Sequence, residues 1–402
     1  MIQIGNIKIK TKEDSLDLFM EARKLENLRD TIKEQPLYPE WRAEIENMEF
    51  LRAVQGTVAL EGSNIKLEEI KEIVGKEKGS SFITKREKEP KNALKAYKFI
   101  EQWSRDNSGK EITESVIKQI HTFITRGINY HLNEPGKYRN KVVTFGNKES
   151  PLKNRFEVEE AMEKLVEFIN SETTNVKDIS YEPTTKAIFA HYLLTIIHPF
   201  IDGNGRVARA VEALILHHYG EYDPFLFPGN AKFYYSEREK YFDHLGKIDE
   251  SGDPKPFILF AMEGLCNNLN EIKKQLWEKI THTLIMDYAY QLRKGKKLLK
   301  RQVSLLDIMF HLEPMTISEC FQTPYIRTMY HKISDSTRKR DINKLILEGF
   351  LKSELSPRGT LITGKRILIS VNWDILKGLT LRLDRSPHRP KKSRKEKFLE
   401  GF

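Results

Sequence analysis

Twelve consecutive residues, His198-Pro199-Phe200-Ile201-Asp202-Gly203-Asn204-Gly205-Arg206-Val207-Ala208-Arg209, combine a base, a hard oxygen ligand, a glycine-flanked turn and two cations. An imidazole that titrates near neutrality can take the proton of an incoming hydroxyl, which makes His198 the candidate general base. Asp202 is an oxygen ligand suited to Mg2+ held against phosphates. Gly203, Asn204 and Gly205 let the backbone approach an anion closely. Arg206 and Arg209, three apart on one helix face, can clamp phosphate oxygens. The set converges on one nucleotide-sized spot. As a calcium loop the stretch fails, because the later ligands are missing.

Two helices must hold this loop. Thr185 to Ile197 reads as an apolar helix before it, and Arg206 to Tyr219 as another after it. The loop therefore opens a helix, where backbone N–H groups and the positive dipole end favour an anion. Further upstream, Ile45, Met48, Leu51, Val54 and Val58 recur at spacings of three and four, so Ala43–Leu60 should be a helix with one buried face. Gly62 and Ser63-Asn64 stop it, and LEEIKEIVGK follows as a short helix. From Lys91 to Phe260 the pattern stays mostly helical. The exception is Lys141–Phe145, a β-prone run between Gly136 and Gly146 that reads as a small hairpin.

The loop resembles the signature of the Fic family, His-x-Phe-x-Asp/Glu-Gly-Asn-Gly-Arg-x-x-Arg, at every specified position. The resemblance covers about residues 40–265. It implies a protein adenylyltransferase that moves AMP from ATP, with Mg2+, to Ser, Thr or Tyr hydroxyls of a target protein, itself included. His198 would be the base and Asp202 the Mg2+ ligand. Gly203, Asn204 and Gly205 would form the anion hole, with Arg206 on the transferred and β phosphates and Arg209 on the γ-phosphate. The run around Gly136 to Arg139, followed by Val143, Thr144 and Phe145, is similar to the family's flap hairpin, an edge that would register an extended target segment by strand addition. Tyr241-Phe242 looks like the family's Tyr-Tyr pair at the adenine, with Phe as a departure, and Asp249 would bond the base edge. Thr57-Val58-Ala59-Leu60-Glu61-Gly62 resembles the family's inhibitory motif, in the class where it precedes the core. Thr57, Glu61 and Gly62 would then be regulatory, with Glu61 pairing with Arg209. The same glutamate could instead orient a water for removing AMP, and the two directions stay open. So does transfer of UMP, phosphate or phosphocholine on the same fold.

Beyond the core, residues 266–300 read as a helical connector. Residues 301–383 follow a helix–helix–helix–hairpin pattern, that of a winged helix-turn-helix. Ser334–Gly349, with Arg338, Lys339 and Arg340 at its start, would be the recognition helix, and Lys365 and Arg366 would sit in or near the wing. From Leu292 onward the chain has 25 Lys and Arg against 11 Asp and Glu, so the first 291 residues carry about −4 of the +10 net charge. Residues 384–402 form a basic tail. Such an excess favours an anionic partner such as DNA. The rival reading is thus a DNA-binding regulator with the nucleotide site as sensor.

Composition narrows the class. At 402 residues and 39% hydrophobic, the chain can bury two or three cores and is not a disordered polymer. Two cysteines, Cys266 and Cys320, are too few for a disulfide framework or a metal cluster, and both are expected to be buried. With no membrane-length apolar run and no secretory leader pattern, the expected location is cytoplasmic, with no membrane partner. The expectation is a mainly α protein: an N-terminal segment (1–90) with the inhibitory helix at about 43–62, and a Fic-type helical core with a β-hairpin flap (91–265). The connector, winged helix and tail complete it. A homodimer stays open.

Overall fold

Apolar residues at helical spacing dominate the chain, and the computed structural model follows them through its described residues, 2–4, 7–9, 16–35, 37–75, 84–145, 148–171, 183–220, 222, 230–355 and 367–375. Two compact units result, Met1–Lys273 and Lys274–Phe402.

The first unit opens with β1 (Ile2–Ile4) paired antiparallel to β2 (Ile7–Ile9). Helices follow: α1 (Leu16–Lys33), α2 (Pro39–Leu60), α3 (Leu67–Gly75), α4 (Lys85–Asp106) and α5 (Glu114–Thr125). After a hairpin, β3 (Thr144–Phe145) and β4 (Lys148–Glu149), come α6 (Arg155–Asn170), α7 (Pro183–Ile197), α8 (Asn204–His218), α9 (Ala231–Ser236), α10 (Arg238–Ser251) and α11 (Lys255–Lys294), whose residues from Lys274 onward belong to the second unit. The centre is α7, buried on every side except at Pro183 and Thr195, as a helix with no polar face must be. Its main partner is α8, and the pair carries the motif loop between them. Helix α2 lies across α9 and also packs on α4 and α8. At the α2–α9 crossing a Cβ on Gly56 would fall 2.3 Å from the Ala231 carbonyl oxygen, so the two backbones touch. Only glycine fits there.

The hairpin is shorter than the β-prone run suggested and begins three residues later. Thr144 pairs with Glu149 and Phe145 with Lys148, and the Ser150 N–H donates to the Val143 carbonyl at 2.8 Å. Helix α11 is continuous over 40 residues and contains most of the expected connector. Cys320 is buried as expected, and burial pushes its thiol up to about 11. Cys266 is instead half-buried, with its sulfur accepting from Asn270, because it lies at the margin of the packed face of α11.

The second unit contains α12 (Lys300–Met309), α13 (Ile317–Gln322), α14 (Pro324–Met329), α15 (Asp335–Leu347) and an antiparallel pair, β5 (Leu351–Leu355) and β6 (Ile367–Val371). Met315 adds a short bridge to Ile369. Val303, Leu306, Ile342, Leu345, Phe350 and Ile369 lie in its core. Buried Asp341 is held there by Arg301, Gln302 and Tyr330. On α15, Lys339 and Arg340 are exposed, whereas Arg338 turns back to the Tyr330 carbonyl and the Phe321 ring. Lys365, Arg366 and the tail at 384–402 lie outside the described residues. Among the described residues, no helix is long and apolar enough to cross a membrane.

Candidate active site

Helix α7 ends at Ile197 and the chain turns twice through left-handed backbone, at His198 (φ 47°) and Gly203 (φ 80°). Glycine adopts that conformation freely, but a histidine there costs about 1–3 kcal/mol, so the surroundings must hold it. Arg139 is the main clamp. Its Nε donates to the His198 carbonyl at 2.7 Å, its Nη2 to the Ile197 carbonyl at 3.3 Å and the Ser150 hydroxyl at 2.5 Å, and its Nη1 to the Lys141 carbonyl at 2.7 Å. The Arg139 backbone N–H also reaches the Pro199 carbonyl at 2.9 Å. One buried guanidinium thus caps α7, fixes the histidine's backbone and ties the hairpin to the loop. Losing it strands several buried oxygens, so Arg139→Ala and Arg139→Lys should each lower the unfolding free energy by about 3 kcal/mol in a urea titration. A loss below about 1 kcal/mol would refute the clamp.

His121 makes the second tie. Its Nδ1 accepts from the Gly136 N–H at 2.8 Å, so Nε2 carries the proton and donates to the Asp202 carbonyl at 3.1 Å. The ring stacks on Phe200 at 3.7 Å between centroids. Asn204 closes the loop from within, accepting from the Phe200 N–H and donating to the Phe200 carbonyl, both at 2.9 Å. Its side chain is therefore engaged with the loop's own backbone.

The His198 side chain donates Nδ1–H to the Thr195 carbonyl at 3.3 Å, which leaves Nε2 as the ring's basic atom. Burial pushes both His198 and His121 down to about 4. Folded, these rings stay neutral while the unfolded chain protonates them, so stability is full above about pH 6.5 and lost as pH falls toward about 4. Melting temperatures taken across that window should drop, and a flat profile would contradict the two burial shifts.

Arg206 lies deep, pairing with Asp202 at 2.9 Å and Glu89 at 3.5 Å and donating to the Tyr130 hydroxyl at 2.6 Å. Its Nε is a buried donor with no acceptor among the described residues. Burial raises the Asp202 carboxyl against the pull of Arg206, and the side chain stays 40% exposed. Arg209 is enclosed by four oxygens: Thr57 Oγ1 at 2.9 Å, the Thr57 carbonyl at 3.2 Å, Glu61 Oε1 at 2.6 Å and the Tyr241 hydroxyl at 3.5 Å. Burial raises the Glu61 carboxyl, but the Arg209 and Arg206 charges outweigh it and hold it below the ordinary carboxylate range. A Cβ on Gly205 would come within 2.6 Å of Glu61 Oε1. A carboxylate from α2 therefore already lies against the loop backbone at the start of α8. Gly62, at φ 94°, lets the chain turn away directly afterwards.

The structure thus brings together Thr57, Glu61, His198, Asp202, Gly203, Asn204, Gly205, Arg206 and Arg209. Val143 and Thr144 belong to the hairpin that Arg139 anchors. The side chains of Phe145 and Asp249 lie outside the described residues. Tyr241 departs from its expected place. Its ring is only 2% exposed, stacked on Tyr234 at 4.6 Å, with its hydroxyl turned to His191 and Arg209. A phenol on the apolar face of α10 finds its hydrogen bonds inside the core, and the exposed ring is Phe242. His121, Glu89, Tyr130, His191 and Glu212 are the polar residues that sequence reasoning missed. A lone Glu212 or His191 within an otherwise apolar helix was the available signal, since a buried polar group needs a partner.

Residues 111–216 match the Fic/DOC family. "Protein adenylyltransferase Fic" of Drosophila willistoni is 34% identical over 155 residues, 38% of this chain and 28% of its own length. "Protein adenylyltransferase fic-1" of Caenorhabditis briggsae is 29% identical over 211 residues, 52% of this chain and 38% of its own. The chain therefore spans well under half the length of these relatives. Among solved structures, a Fic family protein from Desulfovibrio desulfuricans G20 superposes with a TM-score of 0.52 at 19% identity, covering 91% of this chain and 98% of that one. Fic-1 from C. elegans gives 0.52 at 23% identity, over 65% and 72%. The shared fold, the matched segment and the intact loop agree that this chain carries, in residues 111–216, a domain of the Fic/DOC family.

Proposed function

We propose that this protein is a protein adenylyltransferase whose own Glu61 holds it off. The carrying observation is the convergence of a neutral buried His198 with the Gly203–Gly205 backbone, Arg206 and Arg209 around one loop. A target hydroxyl oxygen attacks the α-phosphorus of ATP, forming the new O–P bond as the bond to the β-phosphate oxygen breaks. Pyrophosphate leaves, and the hydroxyl proton passes to Nε2 of His198. Loop N–H groups and Arg206 stabilise charge on the transferred group, the orphaned Nε of Arg206 supporting an anion there. Arg209 binds the γ-phosphate.

Asp202 would hold Mg2+. One partly exposed carboxylate beside a phosphate site is the ordinary donor set for that ion, which keeps several waters. Bound there, it would neutralise phosphate charge and help orient the pyrophosphate leaving group. Glu61 opposes this chemistry by occupying Arg209 and lying over Gly205. In the second unit four helices, α12 to α15, precede the antiparallel β5–β6 pair, one more than the three-helix pattern expects, and the helices-then-hairpin order supports reading it as a winged helix.

The test is intact mass after incubation with ATP and Mg2+, run on the parent and on Glu61→Gly. A gain of one AMP moiety or its multiples is expected. A phosphate-sized gain would assign phosphoryl transfer instead, and no gain despite bound ATP would sink the reading.

A further inference from the structure

Behind Arg209 lies a chain of fully buried polar groups that the transfer chemistry itself does not use. His191 Nδ1 meets Glu212 Oε2 at 2.5 Å, and His191 Nε2 meets the Tyr241 hydroxyl at 3.0 Å. Glu212 also accepts from the Tyr234 hydroxyl at 3.0 Å and from Asn230 Nδ2 at 3.2 Å. Exposure is 0% at His191, 1% at Glu212 and 2% at Tyr241, so these groups are shut off from bulk solvent. Proton counting fixes the order. The Arg209 guanidinium can only donate, so the Tyr241 oxygen accepts from it; His191 Nδ1–H then donates to Glu212, and His191 Nε2 accepts from the phenol. Tyr241 gives its single proton to that nitrogen. Its oxygen lone pairs then face Arg209 Nη1, 3.5 Å away.

Arg209's four oxygens come from two places. Three come from α2 and its C-cap, Thr57 and Glu61; the fourth, Tyr241, belongs to α10 and is indifferent to whether α2 is docked. We infer that Glu212 and His191, acting through the Tyr241 hydroxyl, are positioning residues that keep the Arg209 guanidinium aimed at the terminal phosphate once α2 releases it. This rests on the reading of Arg209 as the γ-phosphate contact. A flexible arginine freed of Glu61 would otherwise lose its direction, and fixing it in advance saves the entropy of ordering it on the nucleotide. The carboxylate–imidazole pair polarises the phenol so that its oxygen is the better acceptor.

The discriminating readout is affinity for ATP against ADP, which lacks the γ-phosphate, measured by calorimetry with Mg2+. Thr57→Val/Glu61→Gly serves as the background, because it removes both α2 side-chain oxygens from Arg209. Adding Tyr241→Phe should weaken ATP about tenfold and leave ADP within about twofold. Glu212→Gln, which keeps the shape and weakens the polarisation, should give a smaller loss of the same ATP-selective kind. Retained ADP affinity certifies the fold. Equal losses for both nucleotides, or none for either, would overturn the inference. Arg209→Ala in the same background separates the two levels: if it leaves the ATP/ADP ratio unchanged, the γ-phosphate reading itself fails. If it collapses the ratio while Tyr241→Phe does not, only the relay fails.

Discussion

Glu61→Gly should raise the initial rate of label transfer from α-labelled ATP to protein by about two orders of magnitude. The expectation follows from the two things one carboxylate does. It takes Arg209 Nη2 at 2.6 Å, and it lies on the backbone of Gly205, so removing it opens a cation and an anion-accepting loop together. In-line transfer depends almost wholly on positioning and electrostatics, so a phosphate displaced by an ångström reacts far more slowly even when bound. Glu61→Gln, which keeps the bulk but not the charge, should fall between parent and Glu61→Gly. An increase below about threefold would mean that the Glu61–Arg209 pair does not limit the rate.

Adding His198→Ala to that released protein should lower the rate by about 10²- to 10⁴-fold with ATP affinity little changed, because in the proposed reaction the imidazole would take the hydroxyl proton and leave the phosphates to other groups. The pH profile gives a sharper version of the same expectation. His198 is pushed down to about 4 by burial, so it remains a base through the weakly acidic range, and kcat/KM should fall only as pH drops through about 4. An acid limb near 6.5 would indicate a solvated ring. Glu61 raises the histidine slightly through its charge, so its removal should move the limb further down.

The motif loop was legible because its chemistry is local: base, turn and arginines follow one another in the chain, and the apolar helices on either side announce their own ends. The order of the α2, α7 and α8 helices could be read for the same reason. The distant contacts were not legible. Nothing in the spacing around Arg139 says that its guanidinium will cap a helix 58 residues away, since that depends on how the hairpin folds over the loop. Tyr241 shows the reverse case: the spacing of an aromatic pair does not say which ring turns inward, and burial on α10 makes Tyr241 part of the core and leaves Phe242 outside. His191 and Glu212 were visible as single polar residues among apolar ones, but which of them meet is settled by the packing of α7 on α8. The hairpin was found but misplaced by three residues, because β-propensity does not say where pairing begins.

Glu61 precedes Arg209 by 148 positions, which gives their pairing a direction in time. At an ordinary synthesis rate the ribosome releases the glutamate roughly 7–30 s before the arginine. Every nascent chain long enough to display the loop has therefore already made the group that covers it. Under the role proposed for Glu61, a chain that stalls late in translation would be as restrained as a finished one.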